Sequence, residues 1–407
     1  MKPGSRLAAA LLSWYDANRR ELPWRKTSGT ARAEPAEAYS VLVSEFMLQQ
    51  TTVTAVIPYF ERWMRTYPTV KALAGADEEG VIRAWEGLGY YSRARNLHAA
   101  AKEISTRYGG QVPREPLDLK KLPGIGEYTA AAVASIAYGA RVPALDANNI
   151  RVWSRLLATS DKKRIAAVFG RIIPADRSGD FNQALMDLGS SVCTPKAPRC
   201  AGCPLAAWCR ALRLEQVELF PQKRPRPETT HIEAAIGIIL KDGTALVQKR
   251  PQGGLFSGMW EFPGGKIRGS ESAYVRESVN AKNQRTKQSR SYAHTLHAHT
   301  HIRKPPPGES PEEAMVREVR EETGLRVQVC EKLGIFTHTY TRFRVKLHVF
   351  ICKREAGTVT NPEARWVTLE ELEALPMPGV NRRIVRKFEE RLKAGCGERS
   401  GPMENVE

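Results

Sequence analysis

Four of the seven cysteines fall within 17 residues, in the pattern Cys193-x6-Cys200-x2-Cys203-x5-Cys209. Four thiolates on one short loop can surround a single metal centre, and the loop must then wrap around it. Zinc and an iron–sulfur cluster both accept four cysteines, so this spacing leaves the metal open. Disulfides are the poorer reading, because the cysteine count is odd and no export signal is evident. Lys2 and Arg6 do precede an apolar run, Leu7–Leu12, but the run is short, and Trp14-Tyr15-Asp16 stands where a small-residue cleavage site belongs. No 18 consecutive apolar residues occur, so no membrane contact and a cytosolic location are expected.

A chain of 407 residues exceeds the roughly 250–300 at which a single core stops growing, which implies at least two domains. Its 62 Lys and Arg against 44 Asp and Glu give a net charge of +18. Both halves share the excess: residues 1–230 carry 33 basic and 22 acidic residues, and residues 231–407 carry 29 and 22. A polyanionic partner, above all nucleic acid, is the natural counterpart.

From residue 5 to about 215 apolar residues recur at three- and four-residue spacing, as in Val41–Phe60 and Thr129–Tyr138, and predict helix after helix. A stretch rich in proline and basic residues, 220–231, then reads as a linker between an all-α domain, 1–219, and a second domain, 232–393. In that second domain Ile232–Leu240, Ala245–Lys249, Phe343–Cys352 and Ala364–Val367 read as strands. Lys241-Asp242-Gly243-Thr244 forms a hairpin turn between the first two. Ser310-Pro311-Glu312-Glu313 and Thr368-Leu369-Glu370-Glu371 are capping boxes that start helices, the first ending at Gly324, so the class is α+β. Residues 269–307 hold seven basic and two acidic residues and four of the eight histidines; they are expected to form a disordered insertion, and 394–407 a flexible tail.

Two further motifs carry chemistry. In Leu122-Pro123-Gly124-Ile125-Gly126-Glu127-Tyr128 two glycines permit a tight turn between helices whose free backbone N–H groups can hold a DNA phosphate. About twenty residues on, Pro143-Ala144-Leu145-Asp146-Ala147-Asn148 sets an acid at the start of a helix, where a plain N-cap would also suit it. A helix-hairpin-helix followed by a loop and an Asp resembles the base-excision DNA glycosylases. The cysteine spacing behind it resembles the [4Fe–4S] loop of the endonuclease III superfamily, in which Lys196 and Arg199 would lie against DNA.

Four more motifs narrow the resemblance to the MutY-type adenine glycosylases over residues 5–220: Leu22-Pro-Trp-Arg25, Ser44-Glu-Phe-Met-Leu-Gln-Gln-Thr51, Gly87–Leu97 and Phe181–Gly189. It implies that Glu45, held protonated by apolar neighbours, is the general acid toward adenine N7 and that Asp146 meets the sugar cation, with Tyr128 and Asn148 beside it. Gln49 and Gln50 would wedge at the opposed base with Thr51 as a further DNA-binding residue, Arg25 would lie near the flipped adenine, and Pro123, Gly124 and Gly126 would bind phosphate. Tyr128 stands where endonuclease III has a Schiff-base lysine, so a glycosylase without strand cleavage is implied. The loop reads Asp-Ala147-Asn-Asn149 where the family usually has Asp-Gly-Asn-Val.

The second domain resembles the Nudix (MutT-like) family through Gly254–Gly265, and Tyr340, Thr341 and Arg342 align with the segment that senses 8-oxoguanine in MutY proteins. Glu309-x7-Arg317-Glu318-Val-Arg-Glu321-Glu322-Thr-Gly324 matches the rest of the Nudix box, whose acids Glu318, Glu321 and Glu322 can hold Mg²⁺ against a diphosphate. The insertion splits this box between Ile267 and Gly308, and a remnant of ancestry is the favoured reading. The expectation is therefore a monomer that excises adenine opposite 8-oxoguanine or guanine in double-stranded DNA. A thymine-mismatch glycosylase and a Mg²⁺-dependent nucleoside diphosphate hydrolase with a DNA-binding half are the alternatives.

Overall fold

The computed structural model describes residues 3–25, 35–222, 229–251, 256–268, 308–340 and 343–397. The expected insertion 269–307, residues 223–228 of the linker, the end of the tail, and Thr341 and Arg342 lie outside the described residues. The chain forms two compact units, Met1–Pro225 and Arg226–Glu407. No described helix is long and apolar enough to cross a membrane.

The first unit is built from helices, as the apolar spacing predicts. At its centre lies the helix Glu127–Tyr138, buried along Thr129–Ser135 and rich in alanine, so neighbouring backbones approach it closely. It packs against the helices Pro35–Leu48 and Ser178–Ser191. The following helix, Ala147–Leu157, starts where the Asp146 carboxylate accepts from the Asn149 N–H and ends in a left-handed Ala158. Trp153, Phe169 and Phe181 lie at most 1% exposed in the core beneath it.

The second unit is a mixed sheet with helices on both faces. Its strands are β1 (Thr230–Lys241), β2 (Thr244–Lys249), β3 (Trp260–Glu261), β4 (Gly264–Lys266), β5 (Arg326–Tyr340), β6 (Phe343–Ala356) and β7 (Ala364–Val367). The order is β3-β2-β1-β6-β5, with β4 paired to β1 and β7 to β2; only β1 and β6 run parallel. Alternation along β1 explains the layering: Ala235 and Ile239 face the helix Pro311–Thr323, while Ile236 and Ile238 face the helices Leu369–Ala374 and Gly379–Gly397. Asp242 and Gly243 both adopt positive φ, 47° and 76°, as a two-residue hairpin turn requires. Both capping boxes form, at Ser310 and Thr368.

The sequence reading did not foresee β5. Its burial alternates apart from one break at Leu333–Gly334, but polar Glu331 and His338 occupy two of the less exposed positions, so the apolar alternation is weak; the register shifts between Val329 and Glu331 and between Lys332 and Gly334 add to the irregularity. The Nudix box also closes across the insertion. Pairing of β4 with β1 holds Gly265 over the Glu318 carboxyl; a Cβ at that glycine would come within 2.2 Å of Oε2. The Arg268 N–H donates to Glu309 at 2.8 Å and Arg317 donates to the Lys266 carbonyl at 3.2 Å, tying the two sides of the break together.

Candidate active site

Glu45 sits in the last turn of the helix Pro35–Leu48, 5% exposed, between Ser44 and the buried Phe46 and Met47. Tyr128, in the first turn of the helix that follows the Gly124–Gly126 hairpin, shares a hydrogen bond with its carboxyl. Oε2 of Glu45 is buried with no hydrogen-bond partner among the described residues. Burial is the main force on this acid and lifts its pKa to about 7; the Asp146 charge adds to the rise, while the Tyr128 bond and the Arg25 charge oppose it. The Tyr128 phenol is itself pushed well above its ordinary value, first by burial and then by the Glu45 and Asp146 charges.

Asp146 is fixed by its neighbours. Oδ1 accepts from the Asn149 N–H at 2.6 Å and Oδ2 from the Asn148 amide at 2.9 Å. Burial raises its pKa, and the hydrogen bonds from Asn149 and Asn148 work against that rise. The loop before it is clamped as well: the Ala144 N–H donates to Asn182 at 2.9 Å, and Ala144 accepts from the Asn149 side chain at 2.5 Å. Asn148 in turn accepts from Arg151 at 2.8 Å, and Arg151 also donates to the carbonyls of Gly189 (2.7 Å) and Cys193 (2.8 Å). A chain of polar contacts therefore runs from the Asp146 carboxylate to the backbone of the first loop cysteine. Ala147, where the family usually has glycine, is the first residue of a regular helix, so alanine fits there.

Arg25 is held by Asp187, at 2.6 and 2.9 Å, and Arg20 grips the same carboxylate. The Arg25 charge reaches Glu45, which places it at the site. Gln49 approaches the Thr129 hydroxyl at 3.5 Å, and Gln50 is exposed in a left-handed turn, φ 58°. Gly124, φ 74°, and Gly126, the N-cap residue of the Glu127–Tyr138 helix, form the hairpin behind Pro123.

Cys193, Cys200, Cys203 and Cys209 line one small cavity together with Arg155, Pro198, Arg199 and Leu212. Among the described residues no three His, Cys, Asp or Glu side chains are drawn together closely enough to form a ready metal shell. The donor set nevertheless fits a thiophilic centre: four soft ligands around one cavity, with the buried Arg155 donating to the Cys193 sulfur at 3.2 Å and to the Thr194 carbonyl at 2.8 Å. Lys196 and Arg199 are exposed on this loop.

In the second unit Glu322 accepts from the Gly264 N–H at 3.1 Å and from Gln248 at 2.6 Å. Arg317 binds Glu309, Glu318 and Glu321, and Arg268 reaches Glu321. Glu318 and Glu322 thus face the glycine strand, whereas Glu321 is half exposed and points to Arg268. Tyr340 packs its ring on His338 (4.2 Å between centroids) and Phe256 (4.9 Å). Three polar residues inside the quoted motifs were given no role in the sequence reading: Asp187, Arg93 and the partly buried Glu261, which pairs with Arg250 and whose pKa burial lifts to about 7. An acid between apolar helix neighbours, as in Leu185-Met186-Asp187-Leu188, was the available signal for the first.

Residues 43–174 match the family of HhH-GPD superfamily base excision DNA repair proteins, and 234–305 and 302–387 match the NUDIX domain family. Hairpin, acids and sheet together define a helix-hairpin-helix repair glycosylase joined to a Nudix domain. The adenine DNA glycosylase of Rattus norvegicus is 32% identical over 441 residues, covering 95% of this chain and 78% of the relative. That of Homo sapiens is 32% identical over 443 residues, covering 95% and 74%. That of Mycolicibacterium smegmatis is 45% identical over 205 residues, 48% of this chain and 66% of the relative. The chain belongs to the adenine DNA glycosylase family and is a DNA N-glycosylase.

Proposed function

We propose that this enzyme removes adenine paired with 8-oxoguanine or guanine in double-stranded DNA, as a monomer, and leaves the strand uncut. The observation that carries the mechanism is a sealed carboxyl with a pKa near 7 and a free oxygen, set beside a second, hydrogen-bonded carboxylate. Adenine is a poor anionic leaving group, and its departure leaves an oxocarbenium-like sugar. Protonated Glu45 donates to N7 as the bond to the sugar breaks, and ionised Asp146, steadied by Asn148 and the Asn149 N–H, faces the positive sugar. Tyr128 stays a neutral phenol and offers no amine, so no Schiff base forms and the backbone is spared.

The remaining assignments follow the same reading. Gln49 and Gln50 wedge at the opposed base, Thr51 contacts the DNA beside them and Arg25 lies by the extruded adenine. Pro123, Gly124 and Gly126 hold a phosphate, and Lys196 and Arg199 meet the backbone. Tyr340, with Thr341 and Arg342, faces the 8-oxoguanine. The four cysteines would hold a [4Fe–4S] cluster, which folds this basic loop and supplies no step of base release. Glu318 and Glu321 serve with Glu309 as a retained ion-pair frame around Arg317, and Glu322 as an acceptor for Gly264 and Gln248, without Mg²⁺ chemistry.

The test is adenine release under single turnover, in EDTA, from duplexes holding A opposite 8-oxoguanine, A opposite G, A·T and T·G. Release from the first two alone, with strand breaks only after hot alkali, is expected; release from T·G, or nicking without alkali, overturns the reading. Metal analysis of the purified protein should give about four iron atoms per chain, and zinc in their place would reject the cluster.

Gly189 offers a sharper probe of the Asp146 support. A Cβ there would lie 2.6 Å from Cβ of Asn148. Gly189→Ala should displace Asn148 from Asp146 and slow single-turnover release roughly 10- to 100-fold. An unchanged rate in a folded variant would show that Asn148 is not needed where it stands.

A further inference from the structure

Arg93 is 6% exposed, and no carboxylate pairs with it among the described residues. Its guanidinium donates to backbone carbonyls instead. One terminal nitrogen reaches Phe46 (3.1 Å), Met47 (2.8 Å) and Gln49, all at the end of the helix that carries Glu45. The other reaches Leu88 and Gly89, both at 3.0 Å, and the Thr51 hydroxyl at 3.2 Å. The ring faces of Trp85 and Tyr90 lie 5.3 and 5.4 Å from the guanidinium carbon.

A buried charge spent on carbonyls and one hydroxyl needs a reason, because its desolvation is not offset by an opposite charge. Burial draws its pKa down to about 10, which leaves it charged at neutral pH. The two loops it joins both carry a non-glycine residue in the left-handed region, Gln50 at 58° and Tyr90 at 50°. Each such residue is strained and persists only where its surroundings impose it. Both residues are exposed.

We propose that Arg93 is a positioning residue that locks the Gln49–Thr51 turn and the Leu88–Tyr90 turn into one rigid edge, and so sets how firmly the duplex is opened while Glu45 is held in register. This rests on the reading of Gln49 and Gln50 as a wedge. Positive charge at the end of the Glu45 helix also suits the partial negative charge of its last carbonyls. A lysine carries a compact group with three donors and cannot span both turns as the planar fork does.

The experiment compares the full-length wild type with Arg93→Lys, using a duplex with A opposite 8-oxoguanine and 2-aminopurine beside the 8-oxoguanine. Melting temperature, duplex affinity, single-turnover release at saturating enzyme and the fluorescence gained when 2-aminopurine unstacks are measured. The expected result is a folded variant that still binds, with the fluorescence gain largely lost and release slowed about 10- to 100-fold. A variant with lowered melting temperature but wild-type fluorescence and rate would make Arg93 merely structural and overturn the proposal. If Arg93→Lys does not fold, Thr51→Val and Thr51→Ser decide the matter. Valine removes one acceptor of the guanidinium and should lose part of the fluorescence gain, and serine should restore it; equal behaviour overturns the proposal. A wild type that releases no adenine from this duplex would instead reject the mispair reading, with the 2-aminopurine signal still reporting on the edge.

Discussion

Glu45→Gln is expected to cut adenine release about 1,000-fold, the middle of the range that a positioned general acid contributes, while duplex affinity stays near that of the wild type. Glutamine keeps the shape and can accept from Tyr128, but it has no proton to give. The same carboxyl predicts the pH dependence of the wild type. Since its pKa is about 7 and the protonated form is the active one, the rate constant for release should be full below pH 6 and fall as pH rises through 7. Stability follows the same sign. A carboxyl whose folded pKa lies above its unfolded value of 4.5 binds its proton more tightly in the native state, so stability is greatest below pH 4.5 and is lost between 4.5 and 7. Above pH 7 the buried charge costs about 3 kcal/mol, and Glu45→Gln should therefore melt at a higher temperature than the wild type at pH 8. A variant that is both active and no more stable at pH 8 would remove Glu45 from the mechanism. Single-turnover release across pH and thermal melts at pH 5 and 8 decide it.

Most of the site can be read locally, because its elements are local. Two glycines and a proline make the hairpin at Pro123–Gly126, an Asp before a helix is visible at Asp146, and the cysteines lie within one loop. The structure brings Glu45, Tyr128, Asp146 and Asn148 together from three separate segments, and no periodicity could have foretold that convergence; the likeness of whole motifs to a family did. What stayed hidden is long-range support. Asp187 is 162 residues from the Arg25 it holds, and Arg93 is 42 to 47 residues from the carbonyls and hydroxyl it gathers around Glu45. A charged side chain in an amphipathic helix reads as surface until its carbonyl partners are seen. Strand β5 was hidden because polar Glu331 and His338 occupy two of its less exposed positions and weaken the local apolar alternation.

Asp146→Asn should lower release by on the order of 1,000-fold, the scale of losing an electrostatic partner that faces developing charge in a buried site. The substitution separates the two tasks of this residue. Its Oδ1 accepts from the Asn149 N–H at the start of the Ala147–Leu157 helix, and an asparagine oxygen accepts there equally well, so the helix start and the fold are retained. The bond from the Asn148 amide to Oδ2 is the one disturbed, because the amide nitrogen of the new side chain donates and cannot accept. What remains is the loss of the negative charge, felt only as the sugar becomes positive, which should leave duplex affinity largely unchanged while the rate collapses. The variant also carries a signature in pH. The Asp146 charge is one of the causes that raise Glu45, so removing it should move the Glu45 pKa, and with it the fall of the residual rate, to lower pH. A folded variant whose residual rate falls at the same pH as the wild type would mean that the two carboxyls do not sense each other. One that retains wild-type turnover would mean that the sugar cation is met elsewhere.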